Sequence, residues 1–135
     1  MRNDTDKKKF IPANNIEESL VSAQNGEISM SEFMPKLIDS QIYVPSIEEV
    51  ESDGHGLKPL FFDRQGKAMV AIFTDLSRIT NDFKSHAQYC LCIAARSFLT
   101  GLPVDFGIVI NPGHSVGLEI SPDGIQKIKK DLDKM

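Results

Sequence analysis

The residues of this chain that could do chemistry are two cysteines, three histidines and a group of clustered carboxylates. Cys90 and Cys92 follow His86 in the spacing His-x3-Cys-x-Cys, which is the nearest approach to a metal-binding motif. A structural zinc site needs four converging ligands, commonly in paired Cys-x2-Cys or His-x3-His spacings. If the segment is helical, Cys92 points about 200° away from Cys90, because each residue turns a helix by about 100°. The sequence therefore predicts no metal site, with both cysteines acting as small packing residues.

Nucleophilic catalysis would require Cys90 or Ser115 beside a general base and an orienting acid. His114 precedes Ser115 directly, but neighbours in sequence seldom point at each other, and no Gly-x-Ser-x-Gly elbow is present. The adjacent carboxylates of Glu48 and Glu49 lie in a polar stretch where neither would acquire the perturbed pKa of a catalytic acid or base. We therefore predict that the protein has no catalytic residues and is not an enzyme.

Glycines between positions 101 and 117 match neither the dinucleotide-binding fingerprint nor the phosphate-binding loop. The helix start at 121–124 could attract an anion, but the carboxylate of Asp123 would repel it. We therefore predict that no cofactor is bound.

The segment 46–58 is the most distinctive polar stretch of the chain. It carries the four carboxylates of Glu48, Glu49, Glu51 and Asp53 against the single lysine Lys58. It is too polar to be core and longer than the usual connection of about 4–6 residues. Runs of charge are commonly just solvated faces, yet a negative loop can also steer a basic partner and speed its association. We take these four carboxylates as candidate partner-binding residues, together with Arg64 in the hairpin 63–66.

The segment 103–130 contains the strand and the helix around which the rest of the chain is expected to be organised. Apolar residues alternate from Val104 to Ile110, and Val109 makes the second half apolar on both faces. That pattern is typical of a strand covered on both sides, so 104–110 is predicted to be the central strand. Ser121-Pro122-Asp123 then provides an N-cap oxygen, a proline at the first helical position and an anion facing the helix dipole.

The same reasoning along the chain predicts an α/β (α+β) fold: a single domain with a mixed β-sheet of about five strands flanked by helices. Strands are expected at 41–44, 60–62, 68–73, 104–110 and 116–120, and helices near 16–25, 31–39, 86–100 and 122–133. Asn14 or Asn15 should cap the first helix, and Ser29-x-x-Glu32 has the form of a capping box for the second. Ser31 is the alternative cap. A short helical turn capped by Thr74 or Asp75 is expected before a link at 81–85.

The composition and charge of the chain indicate which partners and which cellular location are expected. The chain has 135 residues, a formal net charge of −4 and a pI near 5.3, so a nucleic-acid partner is not expected. No apolar run approaches the roughly 20 residues of a membrane span, so no membrane association is expected. Residues 1–9 are polar and predict a flexible N-terminal tail before one domain at 10–135. The same residues lack the apolar region of a secretory signal, which predicts a cytoplasmic protein.

Three segments, taken in order, resemble the SseB family in its N-terminal domain, the enhanced-serine-sensitivity proteins of bacteria. They are AQNGEISMSEFMPKLIDSQIYVP, MVAIFTDLSRI, and the strand ending in NPG that leads to SPDGI. The resemblance spans about Ile16 to Ile128. It implies an α/β fold and a non-catalytic role, and it brings no catalytic residues.

Two functions remain open from the sequence. The first is a non-catalytic bacterial protein-binding domain, either an inhibitor or immunity-type protein or an adaptor, that binds a protein partner through an acidic surface. A toxin or a secretion-related protein is a candidate partner. The alternative is a small-molecule-binding regulator linked to amino-acid (serine) metabolism, as the name of the resembled family suggests. The oligomeric state is left open.

Overall fold

The computed structural model describes residues 10–133, and within them the chain forms one α+β domain. The expected flexible tail at 1–9 lies outside the described residues, as do residues 134 and 135. The helices are α1 (Asn15–Gln24), α2 (Met30–Ile38), α3 (Asn81–His86), α4 (Ala95–Gly101) and α5 (Pro122–Asp133). The strands are β1 (Gln41–Ser46), β2 (Phe61–Arg64), β3 (Lys67–Ile72), β4 (Tyr89–Ala94), β5 (Phe106–Ile110) and β6 (Leu118–Ile120). The predicted fold class is confirmed.

Four strands form the main sheet, in the order β2-β3-β5-β6. Strands β3 and β5 run parallel, and the two outer pairs are antiparallel. Strand β5 thus has a neighbour on both sides, as its two-faced apolar pattern predicts. The strand is shorter than expected, because it begins at Phe106 and leaves Val104 exposed.

The predicted helix at 86–100 is wrong, since this stretch contains the strand β4 followed by the short helix α4. Leu91 is buried and Ile93 half-buried on one face of β4, while Cys90 and Cys92 lie exposed on the other. Leu91, Ala95, Phe98 and Leu99 match a helical stripe, but β1 offers a pairing partner that turns the first half into a strand. The predicted link at 81–85 is the helix α3.

Strands β1 and β4 form a separate two-stranded ribbon rather than part of a five-stranded sheet. The ribbon joins the main sheet through Tyr43 and Phe73, whose backbone groups exchange two hydrogen bonds of 2.8 Å. The expected fifth strand at 41–44 is therefore part of the ribbon and touches the main sheet through an isolated bridge beyond the end of β3.

Local capping follows the sequence closely. The side chain of Asn14 caps α1 by accepting a hydrogen bond from the Glu17 N–H. Ser29 and Glu32 form the complete capping box of α2, which removes Ser31 as the cap. The hairpin between β2 and β3 turns on Gln65 and Gly66, with φ of 56° and 85°, so its loop has two residues rather than the expected four.

The hydrophobic core lies on both faces of the main sheet. The larger part packs α1, α2 and α5 against alternate residues of the central strands, including Val70, Ile72, Ile108, Ile110 and Ile120. The smaller part joins Ala71 and Phe73 to Ile79 and Phe83 on the opposite face. Gly107 allows β6 to approach, because a Cβ there would lie 2.4 Å from the carbonyl oxygen of Ile120.

Truncation of the central strand tests this arrangement. Ile108 is fully buried, so Ile108→Ala should lower the free energy of unfolding by about 2–5 kcal/mol through the lost transfer energy and the cavity left behind. Phe106 is half-buried, and Phe106→Ala should cost less. Urea denaturation with a common m-value is the measurement. A midpoint for Ile108→Ala within error of wild type would show that β5 is peripheral.

Candidate functional site

The acidic residues predicted from the sequence lie on the loop at 47–60 that connects β1 to β2. Glu49, Glu51 and Asp53 are exposed. Glu48 is exposed too, but its carboxylate lies 3.5 Å from the ammonium of Lys58. Three of the four predicted carboxylates therefore face solvent with no ion pair to any residue of the described range 10–133.

The base of this loop is held by the buried side chain of Ser46. Its hydroxyl donates to the carbonyl of Glu48 (2.6 Å) and accepts from the N–H of Lys58 (3.0 Å). The N–H of Ile47 also donates to the Lys58 carbonyl (2.8 Å). The two ends of the loop are thus fixed to each other.

The tip of the loop is fixed as well. The carboxylate of Asp53 accepts from the N–H of His55 (2.9 Å), and the N–H of Glu51 donates to the His55 carbonyl (2.9 Å). Gly56 has a φ of +89°, and a Cβ there would lie 2.9 Å from the Glu49 carbonyl oxygen. Val50 and Leu57 turn inward and pack against the core. The loop therefore presents its carboxylates from a defined backbone.

An apolar groove of about 360 Å³ opens beside this loop. Asp53 and Gly54 form part of its rim, and Phe61, Val70 and Phe106 of the sheet line it from below. Phe61 is 52% exposed, and its ring meets that of Phe106 edge-to-face at 5.2 Å. The loop and the sheet together thus form an apolar surface with the carboxylate of Asp53 at its rim.

Arg64 does not share this surface. Residues alternate along β2, so Arg64 points to the opposite face of the sheet from Phe61. Its Nε lies 3.3 Å from both carboxylate oxygens of Glu119, and its guanidinium lies 5.3 Å from the centroid of the Phe62 ring. The structure thus separates Arg64 from the acidic loop with which the sequence grouped it.

A second recess, of about 610 Å³, lies on the face that holds Arg64. Its aromatic wall is Phe62 and Phe83, whose rings are 5.9 Å apart, and Glu119 lies at its edge. The turn at 111–115, which follows the carboxyl end of β5, closes one side. The carboxyl ends of parallel strands are where α/β folds commonly bind small molecules.

Sequence reasoning missed a buried ion pair between Glu17 of α1 and Arg78 of the 3-10 turn Leu76–Arg78. The guanidinium donates through two nitrogens to the two carboxylate oxygens, at 2.7 Å and 3.0 Å. The side chain of Arg78 is 16% exposed, and that of Glu17 is fully buried. Glu17 sits beside the apolar stripe of α1, and its partner lies 61 residues away, so no local pattern could have revealed the pair.

The carboxylate of Glu17 accepts four hydrogen bonds. Besides the two from Arg78, one comes from the Thr74 hydroxyl (2.6 Å) and one from the Ala13 N–H (2.8 Å). Burial alone would raise the pKa of Glu17, but the hydrogen bonds from Arg78, Thr74 and Ala13 hold the pKa below its usual value. The hydrogen bond to Glu17 raises the pKa of Arg78 in turn.

Asn111 extends this network to the end of β5. Its side-chain oxygen accepts from the Thr74 N–H (3.0 Å), and its amide nitrogen donates to the Thr74 hydroxyl (2.8 Å). The residue has a φ of 56°, a left-handed conformation that asparagine tolerates better than most residues. The network therefore fastens α1, β3 and β5 at one point.

The polar groups of this network make structural hydrogen bonds. Each carboxylate oxygen of Glu17 accepts two hydrogen bonds, so neither oxygen has a free lone pair for a substrate. His114 donates through Nε2 to the carbonyl of Arg78 at 2.6 Å. No hydrogen bond joins His114 to Ser115 among the side-chain bonds of residues 10–133.

The cysteines do not behave as the helical interpretation expected. Two residues apart on a strand, Cys90 and Cys92 point to the same side, and both are free and exposed. Burial, with the neighbouring Cys92, raises the pKa of the Cys90 thiol, which lowers its reactivity at neutral pH. In the described part of the chain, no group of three or more histidine, cysteine or acidic side chains is placed to hold a metal ion.

Comparison with known proteins gives one match. The family described as SseB protein N-terminal domain matches residues 16–127. Among curated proteins and solved structures, no match was found. No helix within residues 10–133 is long and apolar enough to cross a membrane.

The buried pair predicts a specific pH dependence of stability. Because the folded-state pKa of Glu17 is lowered, its stabilising contribution is present above the unfolded value of about 4.3 and is lost as pH falls through the folded value. Glu17→Gln leaves Arg78 buried without its partner, so the free energy of unfolding at pH 7 should fall by about 3–5 kcal/mol. The deficit should shrink as pH falls below the unfolded value of about 4.3, because the unfolded carboxylate takes up a proton first and the folded carboxylate follows only at its lowered pKa.

Glu18→Gln is the matched control, because Glu18 is the exposed neighbour on the same helix. It should change stability little at any pH. Denaturant titrations between about pH 2.5 and 7 measure all three proteins. Parallel pH profiles for wild type and Glu17→Gln would contradict the assignment of acid sensitivity to this carboxylate.

Proposed function

The chain belongs to the SseB protein N-terminal domain family, and on this premise we propose that it is a non-catalytic protein-binding domain, an inhibitor or immunity-type protein or an adaptor. Its partner is a protein with a basic surface and an apolar side chain that enters the groove beside the acidic loop. The setting proposed is the bacterial cytoplasm, whose reducing conditions suit two free cysteines. The observation that carries the proposal is the fixed acidic loop at the rim of an apolar groove.

The charge of the loop supports a basic partner. Glu49, Glu51 and Asp53 are exposed without a salt bridge in the described range, and the protein as a whole carries a net charge of −4. Exposed charges of one sign steer an oppositely charged partner and raise its rate of association, an effect that salt weakens. The electrostatic potentials of two partners are commonly complementary across their interface, so an acidic surface suits a basic one.

The apolar groove offers a surface on which a partner can bury apolar side chains, in addition to the attraction between charges. Most of the binding energy of an interface comes from a few apolar or aromatic side chains buried in central pockets. Phe61 offers an aromatic ring at the groove, and the surface around it is apolar. Asp53 lies at the rim of this apolar centre, and the other loop carboxylates lie on the same loop. An apolar centre with a polar surround is the usual anatomy of a protein interface.

The rigidity of the loop favours binding further. Ordering a mobile loop upon association costs free energy, and a loop already ordered avoids that cost. The hydrogen bonds of Ser46 and Asp53, together with the inward-facing Val50 and Leu57, order this loop before any partner arrives. The non-catalytic part of the proposal is supported by Glu17 and His114, whose functional groups are engaged in structural hydrogen bonds.

Charge reversal of the loop tests the proposal. Partners are first captured from the native cell by the wild-type domain and identified by mass spectrometry. Glu49→Lys/Glu51→Lys should then slow association with the captured partner by about tenfold or more at low salt and change dissociation little. Glu48 and Asp53 are left intact, because Glu48 pairs with Lys58 and Asp53 holds the loop tip.

Glu27→Lys/Asp131→Lys is the matched control, since it changes the net charge equally at exposed residues on other elements. It should retain most of the wild-type association rate. Equal slowing by both variants would mean that net charge alone acts, and an unchanged rate for the loop variant would mean that the loop is only a solvated face. In a separate variant, Phe61→Ala should speed dissociation while leaving the melting temperature close to wild type, because the ring is half in solvent.

The recess beside Phe62 and Phe83 favours a second candidate, a small-molecule-binding regulator linked to amino-acid metabolism. Its position at the carboxyl end of β5 and the paired charges of Arg64 and Glu119 suit a small polar ligand. A rise in melting temperature of the isolated domain with one free amino acid, abolished by Arg64→Ala, would support this function over protein binding.

A further inference from the structure

The main sheet and the ribbon leave three strands with an open edge, and two of these edges are protected in ways that natural proteins commonly use. Strand β2 has four residues, follows Pro59 and carries Asp63 and Arg64. Strand β6 has only three residues and carries Glu119. Short strands, prolines and charges prevent unwanted pairing at sheet edges.

Strand β4 has none of these protections. Its six residues, YCLCIA, include no charge and no proline. Cys90, Cys92 and Ala94 are exposed, and Tyr89 is 42% exposed. A long, uncharged and accessible edge of this kind is a template for pairing with another strand.

The hydrogen-bond alternation of the ribbon shows which backbone groups are available. Ala95 lies opposite Ser40 and donates to its carbonyl at 2.9 Å, so this is a hydrogen-bonded pair of the antiparallel ladder. Hydrogen-bonded and non-hydrogen-bonded pairs alternate along an antiparallel ladder. The N–H and carbonyl groups of Leu91 and Ile93 therefore point toward β1, and those of Cys90, Cys92 and Ala94 point away from it.

Two independent observations on β1 agree with this assignment. Tyr43, opposite Cys92, directs its N–H and carbonyl away from β4 to Phe73. Pro45, which has no N–H, lies opposite Cys90, where no ladder bond is needed. Outside the helices and strands of residues 10–133, no backbone hydrogen bond reaches the outward groups of Cys90 and Cys92 or the N–H of Ala94. Ala94 is also the N-cap of α4, so its carbonyl accepts the first hydrogen bond of that helix.

We propose that a second copy of this chain pairs with β4 in an antiparallel manner about a two-fold axis at Cys92. Cys92 then faces Cys92 of the other copy and exchanges two hydrogen bonds with it. Cys90 faces Ala94 of the other copy, so the Ala94 N–H meets the Cys90 carbonyl, and the Cys90 N–H meets the Ala94 carbonyl that also serves the first turn of α4. The two ribbons become one four-stranded sheet in the order β1-β4-β4-β1.

Charge favours a second copy over a foreign strand. No charged side chain lies on the edge to select a partner of opposite sign, and none opposes an identical strand. What the edge offers is a backbone pattern that a two-fold copy matches by symmetry. A pairing of this size buries less than a standard interface, so the dimer should be reversible, with a Kd on the order of 1–100 µM.

This dimer is independent of the proposed function and has the opposite dependence on salt. Binding of a basic partner to the acidic loop weakens as salt is added. Two copies of a chain with a net charge of −4 repel each other, so their association strengthens with salt. The failure of one proposal is therefore distinguishable from the failure of the other.

The decisive variant is Cys92→Pro, with Cys92→Ser as its matched control. Both remove the thiol, but only proline removes the outward N–H, and an edge strand tolerates proline where its N–H faces solvent. Sedimentation equilibrium over a concentration series up to about 200 µM should give wild type and Cys92→Ser a weight-average mass that rises from the 15.0 kDa of one chain toward twice that value. Cys92→Pro should have a dimer Kd at least tenfold higher than that of Cys92→Ser.

Hydrogen exchange locates the contact without any variant. The amides of residues 90, 92 and 94 of the wild-type protein should exchange about tenfold more slowly at high than at low protein concentration, while those of Phe61 and Asp63 on the edge of β2 should not change. A monomeric wild type, a Cys92→Pro variant that dimerises as wild type does, or an unchanged exchange rate at residues 90, 92 and 94 would each overturn the proposal.

Discussion

The fold depends on one buried ion pair. Glu17 and Arg78 belong to segments that no backbone pairing joins, and the four hydrogen bonds accepted by Glu17 fix the entry to α1, the end of β3 and the 3-10 turn to one another. Asn111 adds the end of the central strand to the same point. A buried charge is tolerated only where it is fully paired, so this corner has little freedom to rearrange. Arg78 further covers the ring of Phe10 at 3.8 Å, which places the start of the domain against the same corner.

The two ends of the main sheet differ because of this pair. At the carboxyl end of β3 and β5, polar side chains are consumed by the network, and the surface that remains is a recess lined by aromatic rings and one surface ion pair. The ends of the acidic loop are fixed by the hydroxyl of Ser46 and by apolar anchors, and the carboxylates of Glu49 and Glu51 face solvent. The charged side chains of Glu17 and Arg78 stabilise the fold, whereas those of Glu49 and Glu51 face solvent.

The sequence predicts most of what is decided locally. The caps at Asn14 and Ser29 and the tight turn at Gly66 depend on residues within a few positions, and the structure contains all of them. The two-faced apolar pattern of β5 likewise identifies the central strand. The prediction fails at 86–94, where Leu91 and Ile93 fit a strand only because β1 lies beside them. Tertiary pairing decides such ambiguous stretches over local periodicity.

One part of the candidate site could be predicted from the sequence, and another part depends on residues that are distant along the chain. The exposure of Glu49, Glu51 and Asp53 follows from a run of charge, so the sequence could predict it. The groove cannot be predicted from the sequence, because its lining comes from β2, β4, α4 and β5, which are distant along the chain. The Glu17–Arg78 pair is hidden for the same reason, and the pairing of Cys90 and Cys92 on one face depends on the strand that the periodicity did not predict.

The parallel pairing of β3 with β5 affects how the domain folds while it is being synthesised. The chain between these strands spans residues 73–105 and contains β4 and α4, so the pair closes only after a long stretch has been synthesised. Contacts between residues far apart in sequence slow folding, because the entropy of loop closure is lost before the contact forms. During synthesis, β4 leaves the ribosome before the central strand that completes the core, and for that interval its uncharged edge is in solvent with the core still open. The order of synthesis thus leaves this edge open to chaperones and to premature pairing until the core is complete.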